Sequence, residues 1–524
     1  MREYQASVPD GELMPAQLID ALMGYEAALA SDDVELLGAY FVDGDEAMRA
    51  DAAGLLVGRD QIDRFRGGRG GAPARVLGDI QVRPVGADHA YVTSVTAPAK
   101  GGRGLVTQLW RQTISGATPG GWVIVAAHVS APPAALDARI WRVVGNPLVA
   151  PSVEHGPLSG HTVAVKDVFA VPGFAIGGGV PAYLAQSRVE DAPADALAAL
   201  LDAGASVAGI AQTDQFAYSI AGVNGAYGTP PNVAAPGSIP GGSSSGPAAA
   251  VASGHASIGL GTDTAGSIRV PASYQGLWGL RPTHGAVSLR GALPLAPAYD
   301  TPGLLTRDGE TLLAAARAML PAGTQRAVGL RDIAVSSALF EAADQDVHLH
   351  LLSVIDAMMG GDVFDVPRRV SVPTTAELFR IFRYTQSPAA ARSWSAWIDA
   401  HPGALADDVA ARFAWAATVT SEQEAEALEA KAAAREALDA ALGDSILVLP
   451  SASSAAPALD ASPERLNSVR EATLGITAVA GITGRPALSV PVLQTDDGPV
   501  GLCLVGPRGS ELALIETALA WMSA

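Results

Sequence analysis

Apolar residues recur at spacings of three and four near the start of the chain. Leu18, Leu22, Tyr25 and Leu29 share one face of a helix, and Asp32-Asp33 stands where the cap of a second helix through Leu36 and Leu37 belongs. The stretch from about Pro15 to Phe65 therefore predicts three short helices. After the glycine cluster from Gly67 to Gly71 the period changes to two. Strands are predicted over Arg75 to Arg83, His89 to Ala97, Gly104 to Ile114 and Gly121 to Val129, separated by Gly and Pro. Helices followed by an antiparallel meander make a small, cone-like α+β domain, residues 1–133.

Pro132-Pro133 and the run Asn146 to Pro157, rich in proline and small residues, predict a linker over 134–156. Beyond it, in 157–524, the pattern alternates. A strand at His161 to Val165, a helix through Ala194 to Ala203, a strand at Ser206 to Ala211, an Ala-rich helix at Ala248 to Ser253 and an apolar run at Ala256 to Gly261 form an α/β signature. From about Gln325 to Leu442 the chain reads as mostly helical, ending in Ser421 to Leu442, where charged residues among Ala and Leu predict a solvated helix. Strands return at Ser445 to Leu449, Ala487 to Val492 and Val500 to Val505, with a closing helix from Glu511.

Length and charge narrow the function classes. The 524 residues exceed one ordinary core, and two to four domains are expected. Lys plus Arg number 34 against 53 Asp plus Glu, a net charge of −19, with no basic stripe, so nucleic acid and anionic membrane are poor partners. The one cysteine, Cys503, sits in an apolar run, which excludes a disulfide framework and a Cys-based zinc site and predicts a cytoplasmic address. The start, Met1-Arg2-Glu3-Tyr4, carries no apolar segment of an export signal, and no run approaches the ~18 apolar residues that span a bilayer.

Candidate chemistry concentrates in two glycine-rich motifs, Gly241-Gly242-Ser243-Ser244-Ser245-Gly246 and G-T-D-T-A-G-S-I-R from Gly261 to Arg269. Neither has the glycine spacing of a nucleotide-binding loop. Gly242 to Gly246 fits the G-x-S-x-G nucleophile elbow, but that turn comes after a buried strand, and Asn232 to Pro240 contains two prolines. A flexible Gly/Ser linker does not lead straight into an Ala-rich helix and a second glycine motif. A third reading joins both motifs to Lys166, which ends the apolar strand V-A-V-K-D, since α/β proteins place chemistry at strand ends.

Lys166 in A-V-K-D, Ser243 in G-G-S-S-S-G and Ser267 in G-T-D-T-A-G-S-I-R, continuing into V-P-A-S-Y-Q-G and G-L-R-P-T-H-G, resemble the amidase signature family, densely over about Gly156 to Asp308. The resemblance implies an α/β/α amidase domain on a large mixed sheet that hydrolyses a small-molecule amide through an acyl-enzyme, without metal or cofactor. It implies Ser267 as nucleophile, Ser243 as a bridging serine after a cis peptide, and Lys166 as base. The residue types suit these roles. A serine hydroxyl is inert until a base takes its proton, and a lysine does so only when neutral, which burial favours. The N–H groups of Thr264, Ala265, Gly266 and Ser267 are the implied oxyanion hole. Ala265 departs from the glycine often found there and still leaves an N–H.

Other residues carry competing expectations. Phe216, Ala217 and Tyr218, in T-D-Q-F-A-Y-S, either line the acyl pocket or pack in the core. Tyr299-Asp300-Thr301 and Arg307 are candidates for the substrate mouth, Arg307 either pairing with an anionic group or forming a salt bridge. Asp263 and Arg269 are expected to anchor the glycine turn, and His255 and His284 to be structural or solvent-exposed.

Residues 10–132 resemble the nuclear transport factor 2-like cones found with amidases of ureide and s-triazine breakdown, through G-R-G-L-V-T-Q-L-W-R-Q and G-W-V-I-V-A-A-H-V-S. That implies an apolar cavity with His128 and Arg103 as candidate ligand contacts, or a packing role and a possible homodimer. The motifs V-K-D-V-F, A-Y-S-I-A-G and Y-G-T-P look closest to indole-acetamide-type amidases, whereas the cone points to ureides or carbamates such as allophanate or carboxybiuret. An ammonia-supplying amidotransferase subunit is a further alternative.

Overall fold

The computed structural model describes residues 6–9, 11–51, 54–69, 75–98, 104–113, 118, 120–130, 136–321, 330–361 and 363–523. The chain divides into two compact units, Met1–Leu136 and Asp137–Ala524. Arg103 and Pro132-Pro133 lie outside the described residues.

In the first unit the helix Leu18–Ser31 buries Leu18, Ala21, Leu22, Tyr25, Ala28 and Leu29, the face its period defines. Asp33 caps the next helix, Val34–Ala39, accepting from Leu36 N at 3.0 Å. A third helix covers Arg59–Arg69. The four expected strands form at Arg75–Val85, His89–Pro98, Gly104–Gln112 and Trp122–Ser130, inside a seven-stranded sheet. The hairpin of Met48–Asp51 with Gly54–Val57 is not among the expected elements, because its strands are too short to show a period. Within its core Tyr25 meets Trp110 edge-on at 6.2 Å, and the buried Arg66 donates to the Tyr25 hydroxyl at 2.6 Å. His128 lies exposed on its strand and not in the apolar interior, which disfavours the cavity contact among the two expectations and leaves the packing role.

The second unit is built on an eleven-stranded mixed sheet. Thr162–Lys166 lies parallel between Ser206–Ala211 and Ile258–Asp263. These strands are apolar throughout because both sheet faces are covered, and Val163, Val165, Ile210, Ile258 and Leu260 are essentially inaccessible. Thr301–Thr306 runs antiparallel to Ile258–Asp263, pairing Asp263 with Thr301 and Ile258 with Thr306. Trp141–Val149 forms the edge strand beside Ser206–Ala211, so much of the expected linker is sheet. Its proline fits an edge, where a missing backbone donor costs least, and its pairing is irregular.

Helices form at Asp195–Asp202, Ser245–Ala252, Ser421–Leu442 and Glu511–Ser523, close to expectation. A further long helix, Pro463–Thr483, goes beyond the expected elements: its C-terminal half is buried on every side and so shows no polar face. Among the described residues no helix is long and apolar enough to cross a membrane.

Candidate active site

Three parallel strands end at the same edge of the sheet, and the site is assembled from the residues at and just beyond those ends. Lys166 is the last residue of the first strand and has no solvent exposure. The loop after Ser206–Ala211 supplies Asp214, and the loop after Ile258–Asp263 runs through Thr264 to Ser267. The Gly241–Ser244 segment crosses between them and leads into the helix Ser245–Ala252.

Close backbone approach explains the glycines. A Cβ on Gly242 would lie 2.6 Å from Gly222 N and 2.7 Å from Asp214 Oδ1, so no larger residue fits. The Gly242–Ser243 peptide is cis. The Ser243 carbonyl accepts from Thr213 Oγ1 at 2.9 Å, while Asp214 accepts from Gly222 N at 3.0 Å and Ser245 Oγ at 3.2 Å. Ser244 N donates to the carbonyl of Ser267 at 3.3 Å, which ties the two serine motifs together.

Lys166 Nζ lies 2.9 Å from Ser243 Oγ and 2.7 Å from Thr262 Oγ1. Both partners are hydroxyls, and among the described residues no carboxylate forms an ion pair with it. Burial pushes its pKa down to about 7, against the pull of the Asp214, Asp263 and Asp300 charges. Burial raises the carboxyls of Asp214 and Asp300.

Asp263 behaves differently. Burial alone would raise it, but the guanidiniums of Arg269 and Arg281 outweigh that and hold it well below the usual carboxylate range. Arg269 Nη2 and Arg281 Nη1 each lie 2.9 Å from Asp263 Oδ1. Its oxygens also accept from Gly266 N at 2.9 Å and Ile268 N at 3.2 Å, so the carboxylate is the hub round which the Ser267 loop is wound. The helix Pro463–Thr483 holds the loop from outside, with Thr477 Oγ1 donating to the Ala265 carbonyl at 2.5 Å. Asp263→Asn should strand two buried guanidiniums and lower stability by about 3–5 kcal/mol. Chemical denaturation measures this, and an unchanged midpoint would contradict the hub.

Residues 147–328 match the family described as Amidase, and residues 8–134 the family described as AtzH-like. Amidase 1 of Arabidopsis thaliana is 31% identical over 398 residues, covering 70% of this chain and 94% of that protein. The chain belongs to the amidase family. Amidases cleave amide C–N bonds, and this chain is such an amidohydrolase. It is also similar to 2-amino-5-chloromuconic acid deaminase of Comamonas testosteroni, at 34% identity over 70% of this chain and 81% of that protein. A solved structure described as a vestigial protein complex revealing the origins of an s-triazine catabolic enzyme superposes with a TM-score of 0.64 at 25% identity, covering 70% of this chain and 85% of that one.

The amidase brings Lys166, Ser243 and Ser267 to one edge of the sheet, and Ser267 lines a small cavity of about 30 Å³ with Ala217, Tyr218, Thr264 and Ala265. The N–H groups of Thr264, Ala265 and Ser267 have no partner among the described residues. Gly266 departs from expectation: at φ +127° its N–H turns back to Asp263 and is not free for an oxyanion.

Phe216, Tyr299 and Arg307 line neither this cavity nor the larger one that adjoins it. Phe216 is stacked on Trp394 at 3.9 Å within an aromatic core that includes Tyr183. Tyr299 is buried, bonded to the Thr385 hydroxyl, with Lys431 Nζ 3.7 Å from its ring centre. Arg307 comes directly after Thr306, at the end of its strand remote from Asp263, and donates to the carbonyls of Val251 and Ala256. Strand direction decides that placement. Asp300 accepts from Thr264 Oγ1 at 2.5 Å instead of lining the mouth. Sequence reasoning assigns no role to Thr262, Asp214 and Arg281, although each stands inside a quoted motif, because nothing in those motifs shows that the three side chains gather round Lys166 and Asp263. Among the described residues no three His, Cys, Asp or Glu side chains gather as they would round a metal.

Proposed function

We propose that Ser267 is the nucleophile of this amidase, that Ser243 relays its proton, and that Lys166 is the base. A neutral Lys166 accepts the Ser243 hydroxyl proton while Ser243 accepts that of Ser267. The Ser267 Oγ then bonds to the amide carbonyl carbon. The oxyanion faces the N–H groups of Thr264, Ala265 and Ser267, an arrangement in which each donor is typically worth about 3–4 kcal/mol. The proton returns through Ser243 to the amide nitrogen, the C–N bond breaks, and ammonia or an amine leaves an acyl-enzyme on Ser267. Water, giving its proton to the same relay, releases the acid and restores the hydroxyl. The observation that carries this reading is Lys166: a fully buried amine held by two hydroxyls, not by a carboxylate, gives up its proton at about pH 7.

The substrate is a small linear amide. The AtzH-like match and the s-triazine neighbour favour a second reading within this class, a ureide or carbamate. Ammonia release by the purified full-length chain across aryl acetamides, aliphatic amides, ureides and carbamates separates the two. Turnover of one class is expected, with ammonia matched by carboxylic acid for an aryl or aliphatic amide and by carbon dioxide from the unstable acid for a ureide or carbamate, and no turnover of any of them would defeat the proposal. A homodimer is part of this reading, since Leu55, Val57, Tyr91 and Leu105 are exposed in the first unit. A cytoplasmic address also belongs to it, resting on a single, buried cysteine.

A further inference from the structure

The small cavity beside Ser267 adjoins a larger one of about 610 Å³, with Tyr218, Ser219, Ile220, Phe382, Gln386, Arg470 and Leu474 lining both. The larger cavity has aromatic walls, Phe379, Phe382 and Trp415, and it gathers three guanidiniums, Arg383, Arg412 and Arg470, against one carboxylate, Asp408. In a chain of net charge −19 this local reversal of sign needs a cause.

The three guanidiniums are not equivalent. Arg412 is committed: it donates to Asp408 Oδ2 at 2.8 Å and to the Tyr218 carbonyl at 3.1 Å. Arg383 lies over the Trp415 ring at 3.7 Å, which satisfies one face of the guanidinium and leaves its edge. Arg470 has neither an ion pair nor a hydrogen bond to any described residue. It comes off the inner part of the helix Pro463–Thr483 and lines the small cavity together with Thr264, Ala265 and Ser267. Burial weakens its hold on its proton, pushing its pKa down to about 10, and Arg412 and Arg383 act in the same direction against Tyr218 and Glu471. Arg470 is half-buried, and a cation partly withdrawn from water with no counter-ion is incompletely satisfied, so the arrangement makes sense when an anion completes it.

We propose that the substrate is an anionic amide, with a carboxylate a few bonds from the scissile carbonyl received by Arg470, and Arg383 beside it. A carboxylate matches the guanidinium fork in a way a neutral amide or a hydroxyl does not. A short separation is inferred because Arg470 and Ser267 line the same small cavity. The larger cavity, with Phe382 and Trp415, then takes the flat remainder of the molecule or the approach path. This inference rests on the hydrolytic reading of Ser267 above.

The test uses pairs of probes that differ in one charge: malonamate against malonamide, and succinamate against succinamide, with the full-length chain. The parent protein is expected to hydrolyse the acid with a kcat/KM about 30- to 100-fold above that of its diamide. Arg470→Met should shrink that preference by a similar factor, chiefly through KM for the acid, and Arg470→Lys should restore part of it, since a lysine returns the charge without the fork. Labelling of Ser267 by a fluorophosphonate, read in parallel, shows that the variants fold and keep the nucleophile. Equal kcat/KM for acid and diamide in the parent, or equal losses on both in Arg470→Met with labelling intact, would overturn the anion site and leave the hydrolytic reading standing. No labelling of Ser267 in the parent would remove both.

Discussion

Ser267→Ala is expected to reduce hydrolysis of every substrate by roughly 10⁴-fold or more, the scale on which removal of a nucleophile acts. The fold should survive. Ser267 is almost fully buried, yet its hydroxyl has no hydrogen-bond partner among the described residues, so removing it leaves no stranded donor or acceptor. Its carbonyl still receives Ser244 N, and the loop remains wound round Asp263 through Gly266 and Ile268. A stability change within about 1 kcal/mol is therefore expected. Steady-state ammonia release together with thermal melting measures both. Residual turnover above about one per cent in a preparation free of the parent protein would remove Ser267 from the mechanism.

The second large effect belongs to Lys166. With its pKa at about 7, the amine is protonated below that pH and neutral above it. Only the neutral form accepts a proton, so the acylation rate should rise through about pH 7 and level off at higher pH. Lys166→Met should abolish this ascending limb and cost roughly 10³-fold or more. Lys166→Arg should not rescue, because a guanidinium stays protonated. The same shift has a thermodynamic side with a defined sign. Above pH 7 the folded state has released a proton that the unfolded lysine keeps up to its ordinary value near 10.5, so the unfolded state binds more protons over that window. The contribution of Lys166 therefore favours folding increasingly as pH rises from about 7 towards 10.5, and Lys166→Met should flatten that slope. Pre-steady-state rates across pH report the first effect, and denaturation at pH 7 and pH 9 the second. A pH-independent acylation rate in the parent would refute the assignment of the base.

Much of the second unit is legible in the sequence because its elements have strong local signals. Val163, Val165, Ile258 and Leu260 stand in apolar runs that only a doubly covered strand explains, and Thr374 and Thr420 begin long helices with capping boxes. The edge strand Trp141–Val149 reads as linker because its Gly and Pro residues mimic a connection, and what makes it a strand is its partner Ser206–Ala211. Helix Pro463–Thr483 gives no clear signal for a related reason. Its C-terminal half is buried by neighbours distant in sequence, and a segment buried all round has no periodic face to detect.

The candidate site divides in the same way. Lys166, Ser243 and Ser267 sit in motifs whose glycines have a local backbone cause, visible at Gly242, where Gly222 and Asp214 press in, and at Gly266, which takes a positive φ. The family resemblance those motifs carry is what implies a serine nucleophile with a lysine base. Which side chains surround those three is decided only by the sheet. Strand direction puts Thr301 beside Asp263 and carries Arg307 to the opposite end. Packing takes Phe216 and Tyr299 into the core. Arg383, Arg412 and Arg470 come from three different helices, so nothing in their spacing along the chain relates them. Local sequence determines a residue's backbone conformation and its chemistry, because both depend on near neighbours. Charge environment, exposure and the company a side chain keeps depend on contacts made across hundreds of residues, and those exist only once the sheet has closed.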